Sequence, residues 1–274
     1  MPVARIPSGL NLHWTEDGSG PPVVMVMGLA LSSHAWNHQL PLAARWRLIR
    51  FDNRGIGGSD APPGPYDTRA MAADVLGLLD TLGVRRAHLV GVSMGGMIAQ
   101  HVALRAPHRV ASLALLATHG GGPTSHVPPR TVGLFAKSKF GRTAEARIDA
   151  LASLLFPPDF LDAHGERVRD ALHETVSHAK LSGRVFLSQV AAVIGHRTGV
   201  TLGALDGLPT LLVTGDQDRA VNPVNTSLLH RWMPWARRVV LPGVGHGLLA
   251  QAVDEVNDTL DAHLSAAESA SRAE

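Results

Sequence analysis

The sequence predicts an α/β fold: a mostly parallel central sheet with helices on both faces, interrupted by one helical insertion. Two observations carry this. In the first half of the chain, short and nearly continuous apolar runs alternate with segments of helical periodicity, as strands buried on both faces do. The alternation stops at 119–129, HGGGPTSHVPP, and strand-like runs return only near residue 209.

The elements follow in order. Pro22–Met27 (PVVMVM), Arg47–Asp52 (RLIRFD), Ala87–Val92 (AHLVGV) and Val110–Thr118 (VASLALLAT) are the buried-strand candidates. Asp67–Leu82 carries Met71, Val75, Leu78, Leu79 and Leu82 at helical spacing, and Met94–Arg105 carries Met97, Ile98, Val102 and Leu104 in the same way. Residues 120–205 read as helices and loops with no clear strand. Pro209–Thr214 (PTLLVT) and Arg238–Leu241 (RVVL) resume the sheet, and Val253–Leu264 forms a last helix. From Ser265 the chain is small and polar and is expected to fray. The domain plan is therefore a core of 1–119 and 206–264, a helical cap of 120–205, and a flexible tail of 265–274.

Composition narrows the function. With 274 residues, 45% hydrophobic and 18% charged, the chain can bury a large core. A net charge of +2 without a dense Lys/Arg block argues against a nucleic-acid partner. The absence of cysteine removes disulfides, thiolate catalysis and cysteine metal sites. The N-terminus lacks the apolar core of a signal peptide, and no apolar run reaches membrane-spanning length, so no membrane partner and a cytoplasmic location are expected.

The chemistry centres on Gly91-Val92-Ser93-Met94-Gly95, which fits G-x-S-x-G. A glycine-rich chain produces such a match easily. Its context is more specific, because a buried strand leads in and an amphipathic helix leads out. A serine on so sharp a turn needs neighbours without Cβ bulk, and it sits where free helix N–H groups favour negative charge. A serine hydroxyl also needs a base, usually a histidine oriented by a carboxylate. Gly243-Val244-Gly245-His246-Gly247 offers His246 in a loop after a late strand, whereas His101 and His263 fall on helix patterns and read as surface residues. After PTLLVT, Gly215-Asp216-Gln217-Asp218 offers two acids. Asp218 is preferred because it lies further round the turn, and Asp216 could instead tie down the loop through backbone N–H groups.

With these residues in place the chain resembles the α/β-hydrolase superfamily from about residue 10 to 264, the insertion apart. The motifs are MGLALSSHAW, DNRGIGGSD, GVSMGG, GDQDRAVNP and GVGHG. The resemblance implies a triad of Ser93, Asp218 and His246. It also implies an oxyanion hole from the backbone N–H groups of Leu29 and Met94. Many relatives have His-Gly where this chain has Met27-Gly28, which makes the pocket floor more apolar. The loop 52–59 has no G-K-[ST] and no G-x-G-x-x-G, so its glycines are read as structural, with Arg54 pairing to a nearby carboxylate or carbonyl. The insertion resembles the superfamily's cap over the sheet's C-terminal edge. Gly28, His34, Trp36, His119, Phe135, Leu155 and Phe186 are the substrate-binding candidates.

The implied activity is hydrolysis of a small-molecule carboxylic ester or lactone through an acyl-enzyme, without cofactor or metal. The same triad also serves C–C bond hydrolysis and perhydrolysis of the cofactor-free haloperoxidase type. A receptor or binding module on a hydrolase scaffold is a third reading. The sequence leaves a homo-oligomer open.

Overall fold

A computed structural model describes residues 2–122, 125–126 and 129–272. Residues 123–124 and 127–128 of the predicted insertion and 273–274 of the predicted tail lie outside the described residues. Eight strands form one sheet: β1 (Val3–Arg5), β2 (Asn11–Asp17), β3 (Pro22–Val26), β4 (Arg47–Phe51), β5 (Ala87–Val92), β6 (Val110–Leu116), β7 (Thr210–Gly215) and β8 (Arg237–Leu241). Their order across the sheet is β1-β2-β4-β3-β5-β6-β7-β8. Only β1 and β2 run antiparallel to their neighbours, and from β4 to β8 every pairing is parallel. β1 and β2 were not among the predicted strands. The reason is physical: β2 (NLHWTED) lies near the sheet margin, and only Leu12 in it is fully buried, so it shows neither an apolar run nor a clean alternation.

The central parallel strands β3, β5, β6 and β7 are largely apolar because both faces are covered. Alternate residues of each strand enter different cores. Val24, Val26, Leu89, Leu113 and Leu212 pack with α1 (Thr68–Thr81) and α2 (Met94–Arg105) on one face. Val23, Met25, Val90, Leu116 and Val213 pack on the other face with a 3-10 segment, Ser33–Ala44, and with α9 (Val253–Ser271). This is the period of two that a pleated strand imposes. Asp67 caps α1 by accepting from the Arg69 N–H at 2.6 Å. Between β6 and β7 lie α3 (Pro129–Phe140), α4 (Ala144–Leu155), α5 (Pro158–Ala179) and α6 (Gly183–Gly195), followed by a 3-10 segment, Gly199–Leu205. The core closes with α7 (Val224–Trp232) and the short α8 (Leu248–Gln251). Among the described residues no helix is long and apolar enough to cross a membrane.

Two expectations are corrected here. The segment from Ser265 does not fray at once, because α9 continues to Ser271. Ala267 is buried, and Glu268 accepts from the buried ring of His88 at 3.0 Å, so packing overrides the polar composition. His263 is buried rather than a surface residue, and His101 is half-buried, its ring edge-on to His196 with centroids 5.2 Å apart.

Burial leaves several histidines neutral. Desolvation pulls His119 and His263 from 6.5 down to about 4. His196 falls to about 2, through burial and then the neighbouring His101 and His119. The unfolded chain takes up these protons near pH 6.5 and the folded chain does not. The stability is therefore complete above that pH and is lost on acidification, between 6.5 and about 4 for His119 and His263 and down to about 2 for His196. Each such histidine contributes a slope of about 1.4 kcal/mol per pH unit there. The urea midpoint is expected to fall steeply between pH 6.5 and 4.5, and a flat profile over that range would contradict neutral burial.

Candidate active site

The strand-to-helix turn between β5 and α2 places Ser93 at φ 55° and ψ −122°. A side chain other than glycine rarely adopts this backbone, at a cost of about 1–3 kcal/mol. The flanking glycines make the turn possible. A Cβ at Gly91 would lie 2.5 Å from the Gly95 carbonyl oxygen, and one at Gly95 would lie 1.9 Å from the Val26 oxygen. The turn is tied down as well: the Ser93 N–H donates to the Leu116 oxygen at 2.9 Å, and the Thr118 hydroxyl donates to the Ser93 oxygen at 2.7 Å. Strain held in this way keeps the serine side chain clear of both elements.

The loop after β8 delivers His246, and the loop after β7 delivers Asp218. His246 Nδ1 lies 2.7 Å from Asp218 Oδ2. The other oxygen of Asp218 accepts from the Ala220 and Val221 N–H groups, both at 2.8 Å, and the side chain is fully buried. Asp216 does the other job weighed for it. Its Oδ1 accepts from the Gly243 N–H at 2.7 Å and so joins the two loops. Ser93 and His246 line the same cavity, with Asp218 behind the histidine. No Ser93–His246 hydrogen bond forms among the described residues. Such bonds commonly tighten only when substrate is bound.

Gly28 abuts Ser93: a Cβ there would stand 3.2 Å from Ser93 Cβ. The loop that follows is held from two sides. Asn53 Nδ2 donates to the Met27 oxygen at 2.8 Å, and the Ala30 N–H donates to Gln189 Oε1 at 2.9 Å. The intervening Leu29 N–H has no protein acceptor among the described residues. The Met94 N–H is the first of α2, where an amide has no intrahelical partner. Neither amide has a protein acceptor among the described residues; Met94 follows Ser93 directly, and Leu29 follows Gly28, which abuts Ser93.

The loop 52–59 is a structural hub. Asp52 accepts from the Ser33 N–H and hydroxyl, both at 2.8 Å, from Gly58 N–H at 3.1 Å, and pairs with His13 Nδ1 at 2.9 Å. Arg54 forms a bidentate pair with Asp74 at 2.6 and 2.7 Å.

The cavity measures about 470 Å³ and is walled by the sheet domain below and the insertion above. It contains Gly28, His34, Phe135 and Leu155 of the predicted binding residues. Three others lie elsewhere. Trp36 is fully buried in the core under the 33–44 segment, because its bulk fills the space against the sheet. His119 is buried with Gln100 and His196, and its Nδ1 accepts from the Gly121 N–H at 3.0 Å. Phe186 packs edge-on to Phe140, 5.7 Å between centroids, within the insertion. Several lining residues were not singled out as binding candidates: His38, Leu151, His164, Val168, Leu172 and Glu174. Val168 and Leu172 are four apart on α5, a legible apolar stripe, but which stripe faces a cavity depends on how α5 crosses the core. Gln189 also escaped notice. A buried glutamine at 0% exposure within an apolar helix was the available signal.

Comparisons with known proteins bear on the family and the fold. A family model for the alpha/beta hydrolase fold matches residues 21–252. The chain is similar to the putative carbamate hydrolase RutD of Pseudomonas savastanoi pv. phaseolicola, 29% identical over 86% of this chain and 90% of that protein. It is 44% identical to the putative non-heme bromoperoxidase BpoC of Mycobacterium tuberculosis, but that match spans 40% of this chain and 43% of the relative. Among solved structures, the enol-lactonase from Burkholderia xenovorans LB400 superposes with a TM-score of 0.80 at 27% identity, over 96% of this chain and all of that one. The family match runs from the start of β3 through α8, taking in Ser93, the loops that carry Asp218 and His246, and the whole insertion, and on that ground the chain belongs to the alpha/beta hydrolase fold family.

Proposed function

We propose that the protein is a serine hydrolase that opens a small-molecule carboxylic ester or lactone through an acyl-enzyme. The observation that carries this reading is His246, held by Asp218 at 2.7 Å and lining one cavity with a serine on a strained turn. Ser93 Oγ attacks the carbonyl carbon as His246 Nε2 takes its proton. Asp218 keeps the other ring nitrogen protonated and stabilises the imidazolium. The Leu29 and Met94 N–H groups receive the oxyanion, each such donor being worth about 10²–10³ in rate. The imidazolium then protonates the departing alkoxide. Water, deprotonated by His246, attacks the acyl carbon and releases the acid and Ser93.

The ester or lactone class follows from a mostly apolar cavity of modest size under a cap, and from similarity to a chain described as an enol-lactonase. Small molecules are the expected partners. A second reading, perhydrolysis, is favoured by the similarity to proteins described as bromoperoxidases. There, hydrogen peroxide replaces water as the nucleophile on the same acyl-enzyme. A panel of p-nitrophenyl esters of increasing chain length and of four- to seven-membered lactones, run with and without peroxide and bromide, separates the two. Multiple turnover in water alone is expected. No ester or lactone hydrolysed above a Ser93→Ala control would sink the proposal.

A further inference from the structure

We propose that His34, Glu174 and His178 form a divalent-cation site of the zinc type, which fastens the helical insertion to the sheet domain at the rim of the cavity. One ligand atom from each side chain lies within 4.8 Å of the other two. His34 Nε2 stands 3.3 Å from Glu174 Oε1, and the His34 and His178 rings stack with centroids 4.1 Å apart and planes at 21°. The three come from two parts of the fold. His34 belongs to the 33–44 segment of the sheet domain, while Glu174 and His178 are one turn apart on α5 and therefore share a face of the insertion.

Two imidazoles and one carboxylate are a zinc donor set that leaves a fourth position open for water. Ligand bonds of about 2.0–2.2 Å at tetrahedral angles put donor atoms about 3.4 Å apart. The His34–Glu174 pair already stands at that separation, and the His178 ligand atom lies within 4.8 Å of both. His34 and Glu174 also line the catalytic cavity, so a bound ion sits at its rim and holds α5 against the 33–44 segment. The site is independent of the proposed hydrolytic activity, and metal binding tests it without substrate.

The test uses the untagged full chain. Cobalt titration is expected to give one visible d–d band at one equivalent per chain, discharged by zinc, and zinc is expected to raise Tm. His178→Ala and Glu174→Gln should each weaken zinc binding by about tenfold or more. They should leave the metal-free Tm unchanged, because both side chains are exposed. His173→Ala, on the same helix, should bind zinc as the wild type does. Hydrogen exchange should slow in α5 and in 33–44 together when zinc is added. Retention of wild-type zinc affinity by His178→Ala overturns the site. Protection confined to α5 overturns the bridge to the sheet domain.

Discussion

A Ser93→Ala chain is expected to lose about 10⁶-fold in kcat on any ester that the wild type turns over, and a Ser93→Ala, His246→Ala chain to lose no more. The non-additivity is the informative part. If the two residues act as one unit, removing the nucleophile leaves the base nothing to deprotonate, so the second substitution is silent. The residue of catalysis, about 10³–10⁴ over water, would then come from the free Leu29 and Met94 N–H groups and from the cavity. Alanine keeps the Cβ and so carries the same backbone strain at φ 55° as serine, and Tm should be unchanged. Single-turnover and steady-state rates on a p-nitrophenyl ester measure all three chains. A Ser93→Ala chain within about tenfold of wild type would remove Ser93 from the chemistry.

How much of this could be read from the sequence differs from element to element. The central parallel strands announced themselves because both faces of each are buried, which turns a strand into a nearly continuous apolar run. The turn at Ser93 was legible because its glycines answer local collisions, and local geometry is written in local sequence. The loops after β7 and β8 were legible for a similar reason, since each follows a buried strand directly. The choice between Asp216 and Asp218 depended on where each carboxylate points, and only the 2.7 Å approach of Asp218 Oδ2 to His246 assigns them. The cavity wall was read less well. His34, Phe135 and Leu155 reach it, but Trp36 and Phe186 fill cores instead, and an aromatic residue reads the same in either place. Glu174 and His178 were not legible, because on α5 alone they read as ordinary polar residues. Their meaning arises only when α5 crosses the 33–44 segment, a contact between residues about 140 positions apart.

Asp218→Asn is expected to lower kcat by about 10⁴ while Asp216→Asn stays within about tenfold of wild type. The hydrogen bonds explain the size of the effect. Asp218 Oδ1 accepts from two backbone N–H groups, so the oxygen of an asparagine would be drawn to that side. Its NH₂ group would then face His246 Nδ1, where a carboxylate oxygen now stands. That arrangement makes Nδ1 an acceptor and forces the ring proton onto Nε2. An Nε2–H has no lone pair for the Ser93 proton, so the side chain is preserved in shape and disabled in function. Asp216 has no such role: its Oδ1 holds only the Gly243 N–H, and an asparagine oxygen can still accept from that group. Steady-state kinetics on one ester, with Tm recorded for both chains, decides the matter. Comparable losses in the two variants, or a larger loss in Asp216→Asn, would mean that the carboxylate at 2.7 Å from His246 does not set the tautomer on which the proton transfer depends.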